Sequence, residues 1–198
     1  MKTPNQEQVW DKIAKKWQEY RQRPKPAIDE FLKGKEGKIL DIGCGSGRHF
    51  IKSKNTEFYG IDFSKEMIKL AKKRQIAVDL QQSPASKIPN LDNFFDYAIF
   101  AAVLHCLTLL DRKKALKELH RVLKPKGKAI ITVLSKAHKR VKNKPSPCLI
   151  PWTLENEKLQ RYYYIYKKEE LEKELKEAKF KITKSKEDNQ NISIIVEK

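Results

Sequence analysis

The sequence predicts an α/β fold in which helices cover both faces of a mostly parallel, seven-stranded sheet. Two observations indicate this fold: strand-like and helix-like segments alternate from about residue 38 to residue 134, and two further strand-like segments end the chain. Strands that alternate with helices form parallel sheets through crossover connections. Only a few polar residues join the last two strands, so we expect this terminal pair to be antiparallel.

The N-terminal segment 1–35 predicts two helices. Apolar side chains recur at helical spacing over 5–20, at Val9, Ile13, Trp17 and Tyr20. Pro24 and Pro26 end this helix and open a second one, which ends near Gly34.

The central segment supplies five strands and the helices between them. The predicted strands are the apolar segments KILDIG, TEFYGID, IAVDLQQ, FFDYAIFAAVL and KAIITVLS. The predicted helices are GSGRHFIKS, directly after the first strand, SKEMIKLAKKR, capped by Ser64, and DRKKALKELHRVLKPKG, which Pro125 and Gly127 stop.

The C-terminal third predicts one helix, KKEELEKELKEAKF, and two strands, KITKSK and NISIIVEK. Before them lies 136–166, which begins with a basic run and ends with a cluster of tyrosines. A loop this long in a compact domain is usually functional or disordered. We interpret it as an insertion into a single domain that spans 1–198.

The composition favours a polyanionic partner. The 198 residues include 43 Lys and Arg against 25 Asp and Glu, a formal net charge of +18. Nucleic acid is the first interpretation, an anionic membrane the second, and a merely solvated surface the third. Three isolated cysteines indicate neither disulfides nor a zinc site. With no signal segment or long apolar run, we expect a soluble, cytoplasmic protein without membrane association.

A glycine turn follows the first strand and brings a ligand close to the backbone. Gly43, Gly45 and Gly47 alternate there, and Asp41 precedes them. The spacing differs from the dinucleotide fingerprint G-x-G-x-x-G, and no G-K-[ST] follows, which excludes the phosphate-cradling loop. A carboxylate at this point repels a pyrophosphate and suits a cationic ligand.

Asp62 ends the second strand, where an acid can accept both hydroxyls of a ribose. A nucleoside with a positively charged arm satisfies both carboxylates, and S-adenosyl-L-methionine is such a molecule. The motifs DIGCGSG and GIDFS together resemble the signature of Rossmann-like class I methyltransferases over 38–134. The alternative is a glycine turn that merely packs closely.

The resemblance implies further cofactor contacts by Trp10, Phe63 and Ala101. One feature departs from the family pattern: Pro84 stands where an acid commonly meets the adenine. Backbone amides near Ala85 remain available to hold the ring.

Four segments resemble the tRNA wobble-uridine carboxyl methyltransferases, which esterify 5-carboxymethyluridine in the anticodon. They are VWDKIAKKWQEYRQRPKP, FDYAIFAAVLHCL, the pair LIPW and RYYY, and DNQNISIIVEK. The resemblance spans almost the whole chain, with no appended oxygenase domain expected. Departures occur at Lys25, Cys106 and Asn191, where the family often carries Trp, His and a nearby Trp.

The resemblance implies catalytic roles for Arg21 and His105, which would orient a carboxylate. Arg21 has two open roles: it could pair with the methionine carboxylate or with the carboxylate of the substrate. His105 could instead be a structural histidine at the end of a strand, with its hydrogen bonds already satisfied. Trp10 and Trp17 form either an apolar stripe or a lid over the methionine arm. The other histidines, His49 among them, are interpreted as surface or helix residues.

Substrate contacts are expected in the insertion. Trp152, Arg161 and Tyr162 suit either stacking on an unpaired base or ordinary loop packing. Lys139 and Arg140 belong to a basic run that suits phosphate contacts, with a solvated surface as the alternative.

The family implies a small zinc-binding activator protein that adds a strand at the sheet edge, here IAVDL. Two rival functions remain: a small-molecule methyltransferase acting on a quinone, lipid or metabolite, and a non-catalytic RNA-binding scaffold.

An ionised carboxylate needs no general base, and nothing in the sequence marks Cys106 as a low-pKa thiol.

Overall fold

The computed structural model describes residues 3–155 and 157–198. Helices α1 (Gln6–Glu19) and α2 (Pro26–Leu32) precede the first strand, as the sequence predicted. The side chain of Asn5 caps α1 by accepting a hydrogen bond from the Gln8 amide, and Pro26 occupies the first turn of α2.

A seven-stranded sheet forms the centre of the protein and confirms the predicted α/β class. Its strands are β1 (Gly37–Ile42), β2 (Thr56–Asp62), β3 (Asp79–Gln82), β4 (Phe95–Ala101), β5 (Leu123–Leu134), β8 (Lys181–Glu187) and β9 (Asn191–Glu197). The strand order is β3-β2-β1-β4-β5-β9-β8. The first five are parallel, while β9 is antiparallel to both β5 and β8, as predicted for the terminal pair.

Helices cover both faces of this sheet. They are α3 (Lys65–Lys72), α4 (Leu109–Val122) and α5 (Lys168–Glu177), together with a short 3-10 turn, Leu104–Cys106. One apolar cluster packs the sheet against α4 and α5, and a second packs it against α2 and α3. No helix among the described residues is long and apolar enough to cross a membrane.

Three details differ from the sequence-based expectation. No helix follows the glycine turn, because Gly47 adopts a φ of +73°, outside the right-handed helical region. The third strand is limited to Asp79–Gln82 and does not begin at Ile76. The fifth strand begins at Leu123 and runs through Gly127, pairing with β4 across a register shift.

The segment 136–166 contains regular structure that the sequence analysis treated as a loop. Strands β6 (Cys148–Leu154) and β7 (Glu157–Tyr163) form a separate antiparallel pair. Leu159 of β7 packs against α1, so this hairpin covers the N-terminal helix. The pairing was hard to predict because its apolar residues alternate only partly with polar ones.

Candidate active site

A cavity of about 280 Å³ lies at the carboxyl ends of β1, β2 and β4, next to α1. Ligands of open parallel sheets bind at this end, where the strand order reverses. The cavity brings together most of the residues that the sequence singled out for the cofactor, and also Arg21 and Tyr162. Those cofactor residues are Trp10, Gly43, Gly45, Asp62, Phe63, Ala85 and Ala101.

The glycine turn leaves room for a ligand at one position and packs tightly at two. Gly45 has a φ of +55°, and a Cβ built there would meet only the Met67 sulfur, at 3.8 Å. A Cβ on Gly43 would lie 2.3 Å from Val103 Cγ2, and one on Gly47 would lie 2.6 Å from the Phe50 ring. Gly47 therefore serves packing, and the structure does not bring it to the cavity.

Asp62 is buried at the end of β2. One carboxylate oxygen accepts the Gly45 amide at 2.9 Å, and the other accepts the Ser64 amide at 2.9 Å. Burial raises the pKa of Asp62 to about 6, although these two amides act in the opposite direction. Each oxygen keeps a free lone pair for a ligand hydroxyl, so the carboxylate suits a ribose.

Asp41 lies behind the cavity wall, and a direct contact with the ligand is not supported. Its Oδ2 is 3.1 Å from His49 Nδ1, and both side chains are buried. His49 does line the cavity, and its Nε2 has no partner among the described residues. The interpretation of His49 as a surface or helix residue was wrong, because the turn after β1 folds it inward.

The turn after β3 lines the far side of the cavity through Pro84, Ala85 and Ser86. The Ala85 and Ser86 amides find no acceptor within the described part of the chain. These free amides agree with the expectation that backbone groups replace the missing acid at Pro84.

Helix α1 links the cavity to two distant parts of the chain. Asp11 Oδ1 accepts hydrogen bonds from Ser64 Oγ at 2.5 Å and from the Glu66 amide at 3.1 Å, at the start of α3. Gln6 lines the cavity and binds β7: its Oε1 accepts the Tyr162 amide at 2.9 Å. The sequence carried no signal for either residue, since each acts through partners more than 50 positions away.

Arg161 is buried among aromatic rings instead of facing a substrate. Its guanidinium carbon lies 5.0 Å from the centre of Trp152, 5.6 Å from Trp17 and 6.0 Å from Trp10. The structure favours the packing alternative for this arginine, because cation–π contacts tie the hairpin to α1. Trp152 shares the cluster and does not line the cavity.

Two arginines bring positive charge to the cavity wall. Arg21 and Arg48 both line it, and neither has an acidic partner within ion-pair distance in residues 3–155 and 157–198. Burial lowers the pKa of both guanidinium groups. The sequence analysis did not select Arg48 as a site residue, although its position directly after the glycine turn indicated that it would lie near the cofactor.

The structure does not bring His105 to the cavity. Its ring is buried against Tyr163, with 4.8 Å between the ring centres, and its Nδ1 has no partner among the described residues. Burial, together with nearby cations such as Lys25, lowers the pKa of His105 to about 3, so the ring is neutral. A neutral imidazole provides no charge to orient a carboxylate.

Cys106 lines the cavity, but its thiol is protonated at neutral pH. Burial raises the pKa of Cys106 to about 12. This agrees with the prediction that the thiol is not activated, and it disfavours chemistry that begins with a cysteine nucleophile.

The basic run of 136–144 lies on the surface. Its members form no ion pair with any described residue, and they are Lys136, Lys139, Arg140, Lys142 and Lys144. Arg140 is close enough to Arg21 that its charge lowers the pKa of Arg21. The run therefore extends a positive surface toward the cavity.

Comparison with known proteins agrees with this geometry. Residues 40–131 match the family model described as a methyltransferase domain. A structure from Pyrococcus horikoshii is 27% identical, with a TM-score of 0.72 over 91% of each chain. A complex of the Haloferax volcanii Trm112 methyltransferase activator with a putative methyltransferase contains a similar fold, at 13% identity and a TM-score of 0.73, covering 98% of this chain and 97% of that one.

The curated relatives include tRNA methyltransferases and a quinone methyltransferase. The tRNA (carboxymethyluridine(34)-5-O)-methyltransferase of Schizosaccharomyces pombe is 29% identical over 96% of this chain and 95% of that protein. The mouse enzyme ALKBH8 is 34% identical over 69% of this chain, but the match spans only 21% of its length. The quinone biosynthesis C-methyltransferase UbiE of Geotalea uraniireducens is 30% identical over 62% of this chain and 54% of that protein.

The fold, the free amides and the buried acid at the end of β2 define an S-adenosylmethionine-dependent methyltransferase of class I. Gly45, Asp62 and the Ala85 turn fit this methyl donor, since they offer an open backbone, a ribose acceptor and amide donors. Within this class, the chain resembles the tRNA carboxymethyluridine methyltransferases over nearly its whole length.

Proposed function

We propose that this enzyme methyl-esterifies the carboxymethyl group of a wobble uridine in the tRNA anticodon loop. The observation that carries the proposal is the 29% identity to the Schizosaccharomyces pombe enzyme over 96% of this chain. The cavity supports it, because two arginines that have no acidic partner among the described residues line it and could pair with an acidic substrate.

The residues of the cavity suit a reaction governed by positioning. When bound, S-adenosylmethionine supplies a sulfonium methyl group that passes to a carboxylate oxygen, while the C–S electron pair returns to sulfur. A carboxylic acid with a pKa of about 4 is already ionised, so no general base is needed. Arg21 and Arg48 would orient the carboxylate, and Trp10 and Tyr162 would exclude water.

The proposal assigns the RNA surface to the N-terminal helix and the 136–166 insertion of one domain spanning 1–198. Lys139 and Arg140 would contact phosphates, since both are exposed and free of ion pairs within the described chain. The segment 1–35 would act as a lid, because α1 already contacts both α3 and β7. His105 keeps only a packing role in this proposal.

The proposal includes an activator protein at the β3 edge. This strand has a free edge and only 4 residues, and Val78 just before it is 62% exposed. An added strand would pair with the open edge and cover such apolar surface. A cytoplasmic location also belongs to the proposal, since tRNA is the substrate.

A methyl-transfer assay tests this function. The protein is incubated with labelled S-adenosylmethionine and bulk tRNA from cells lacking its gene, with and without a co-expressed zinc-binding activator. We expect label in a methyl ester that mild alkali releases, and mass spectrometry of nucleosides should identify a carboxymethyluridine ester. Label that resists alkali, or no label with either preparation, would contradict the proposal.

A small-molecule substrate is the second candidate, favoured by the 30% identity to UbiE. A quinone ring carbon lacks a negative charge to pair with Arg21 and Arg48, so the same assay with a demethylated quinone should show no transfer. Transfer to the quinone and none to tRNA would reverse the order of the two candidates.

A further inference from the structure

A second carboxylate lines the cavity in addition to that of Asp62. Among the described residues, Asp62 and Asp111 are the acids that line it. Asp111 lies in the first turn of α4, where its Oδ2 accepts a hydrogen bond from the Thr108 hydroxyl at 2.7 Å. Its Oδ1 accepts no hydrogen bond from residues 3–155 or 157–198. This oxygen is therefore available to a ligand group that donates a hydrogen bond.

Helix α4 directs Asp111 toward the segment that follows β3. Asp111, Ala115 and Glu118 are separated by four and three positions, so they share one face of the helix. On this face, Glu118 Oε2 accepts the Ile88 amide at 2.8 Å, and Ala115 lies in the same apolar cluster as Ile88. This face of α4 therefore packs against the segment 83–90.

The length of this contact places Asp111 near the free amides of the turn after β3. Asp111 lies seven residues before Glu118, about 10 Å along α4 at about 1.5 Å per residue. Ala85 lies three residues before Ile88, and three residues span at most about 11 Å. Both segments run from the carboxyl end of the sheet toward its other end, because each leads from one parallel strand to the next. Asp111 and Ala85 therefore lie at the same end of the contact, and both line the cavity.

These groups complement the base of the methyl donor. Adenine has ring nitrogens that accept hydrogen bonds and an exocyclic amino group that donates them. The Ala85 and Ser86 amides suit a ring nitrogen, and the Asp111 carboxylate suits the amino group. A hydrogen bond to an ionised acceptor is stronger than one between neutral groups, so the carboxylate would contribute most to the choice of base.

We propose that Asp111 Oδ1 accepts a hydrogen bond from the exocyclic amino group of S-adenosylmethionine and selects adenine over a base with an oxygen at that position. The inference concerns the methyl donor and does not depend on which molecule accepts the methyl group. Two alternatives are tested with it. Asp111 only caps α4 together with Thr108 in the first, and the Ser86 hydroxyl accepts the amino group in the second.

A pair of nucleosides tests the selection of the base. S-adenosylhomocysteine and S-inosylhomocysteine, in which an oxygen replaces the amino group, are titrated into the protein by isothermal calorimetry. The wild-type protein should prefer the adenosyl compound about tenfold or more, because the inosyl compound loses a charge-assisted hydrogen bond and turns an oxygen toward a carboxylate. Equal affinities for the two compounds would overturn the proposal.

Three variants separate recognition from capping. Asp111→Ala should lose most of the preference, by weaker binding of the adenosyl compound and tighter binding of the inosyl compound. Thr108→Ala is the matched control: it removes both hydrogen bonds of the cap but leaves Oδ1, so it should keep the preference. Ser86→Ala should also keep it. Equal losses in Asp111→Ala and Thr108→Ala, or a loss confined to Ser86→Ala, would contradict the role of Asp111.

Asp111→Asn keeps the test valid if Asp111→Ala does not fold. Its side-chain oxygen can still accept the Thr108 hydroxyl, while its amide nitrogen can donate to the oxygen of the inosyl compound. This variant should bind S-inosylhomocysteine more tightly than the wild-type protein does. A folded Asp111→Asn protein with the wild-type preference would refute the proposal.

These measurements need no methyl acceptor, so their outcome is separate from that of the proposed function. Selection of adenine without any methyl transfer to tRNA would refute the function and keep the role of Asp111. Methyl transfer to tRNA by a protein that binds both nucleosides equally would keep the function and refute the role of Asp111.

Discussion

The two ends of the cavity are built in different ways. At the cofactor end, Gly45 lies in the turn directly after β1, Asp62 is the last residue of β2, and a 2.9 Å hydrogen bond joins them. At the substrate end, Gln6 comes from α1, Arg21 from the connection after it, and Tyr162 from a hairpin more than 130 residues away. The first end depends on strand ends, and the second depends on long-range side-chain contacts.

This contrast indicates which end tolerates change. Backbone amides and closely packed glycines allow few substitutions, because a Cβ on Gly43 would overlap Val103. The substrate end consists of side chains on a helix and a hairpin, which can be exchanged without breaking the sheet. A fold divided in this way is expected to keep one methyl donor while the methyl acceptor differs between proteins that share the fold.

The strongest test of the contrast is Asp62→Ala. We expect cofactor affinity to fall by about 100-fold or more, because two charge-assisted hydrogen bonds of roughly 1.5–3 kcal/mol each are lost. Isothermal calorimetry with S-adenosylmethionine measures the change, and Asp79→Ala on neighbouring β3 is the control. Near wild-type affinity in Asp62→Ala would show that the cofactor end does not depend on this acid.

A double variant tests the substrate end. Lys139→Ala with Arg140→Ala should weaken tRNA binding roughly tenfold and lower the slope of log affinity against log salt by about 2. Cofactor affinity should stay unchanged, which would sharpen the contrast. Lys72→Ala with Lys73→Ala removes two exposed charges at the end of α3 and serves as control. An unaltered salt slope would remove Lys139 and Arg140 from the RNA surface.

The pKa of Asp62 makes the cofactor end sensitive to pH. Because burial raises this pKa to about 6, the acid binds a proton in the folded protein well above the unfolded value. The buried charge therefore costs stability above pH 6, and ribose hydroxyls favour the ionised form. Cofactor affinity should fall about tenfold from pH 7 to pH 5, in proportion to the ionised fraction. Calorimetry across this range is the measurement, and a flat profile would contradict it.

The smallest expected effect belongs to Asp11, which joins the two ends. Asp11→Ala removes its contacts with the start of α3 and should cost about 1 kcal/mol, as helix caps do. We expect a melting temperature lower by a few degrees and a cofactor affinity reduced a few-fold. Lys12→Ala, on the same helix, removes only an exposed ion pair and should change neither. Equal effects of the two variants would argue against a bridging role.

The sequence predicted more of the residues at the cofactor end of the cavity than of those at the substrate end. Alternating strands and helices predicted the sheet, and the glycine turn with Asp62 predicted the cofactor end, because these signals are local. The burial of Arg161 and His105 was not predictable from spacing. It depends on α1 and β7 meeting in space, and no short motif records such a contact.

The position of His49 was only partly predictable from the sequence. It follows the glycine turn directly, so its neighbourhood was known, but a helix was expected there. The positive φ of Gly47 redirects the chain and carries His49 toward Asp41. A glycine that prevents a helix is difficult to distinguish in sequence from one that begins it.

Helix α1 is fastened to α3 by Asp11 and to β7 by Gln6, so it forms a wall shared by donor and acceptor. Under the proposed function, one route for a spent donor to leave the cavity runs past this wall. Exchange of the donor by this route would also loosen the surface that we propose binds tRNA, so that both products would leave in one opening movement. Steady-state kinetics should consequently show an enzyme that releases its macromolecular product every cycle, with no processive modification of a retained one.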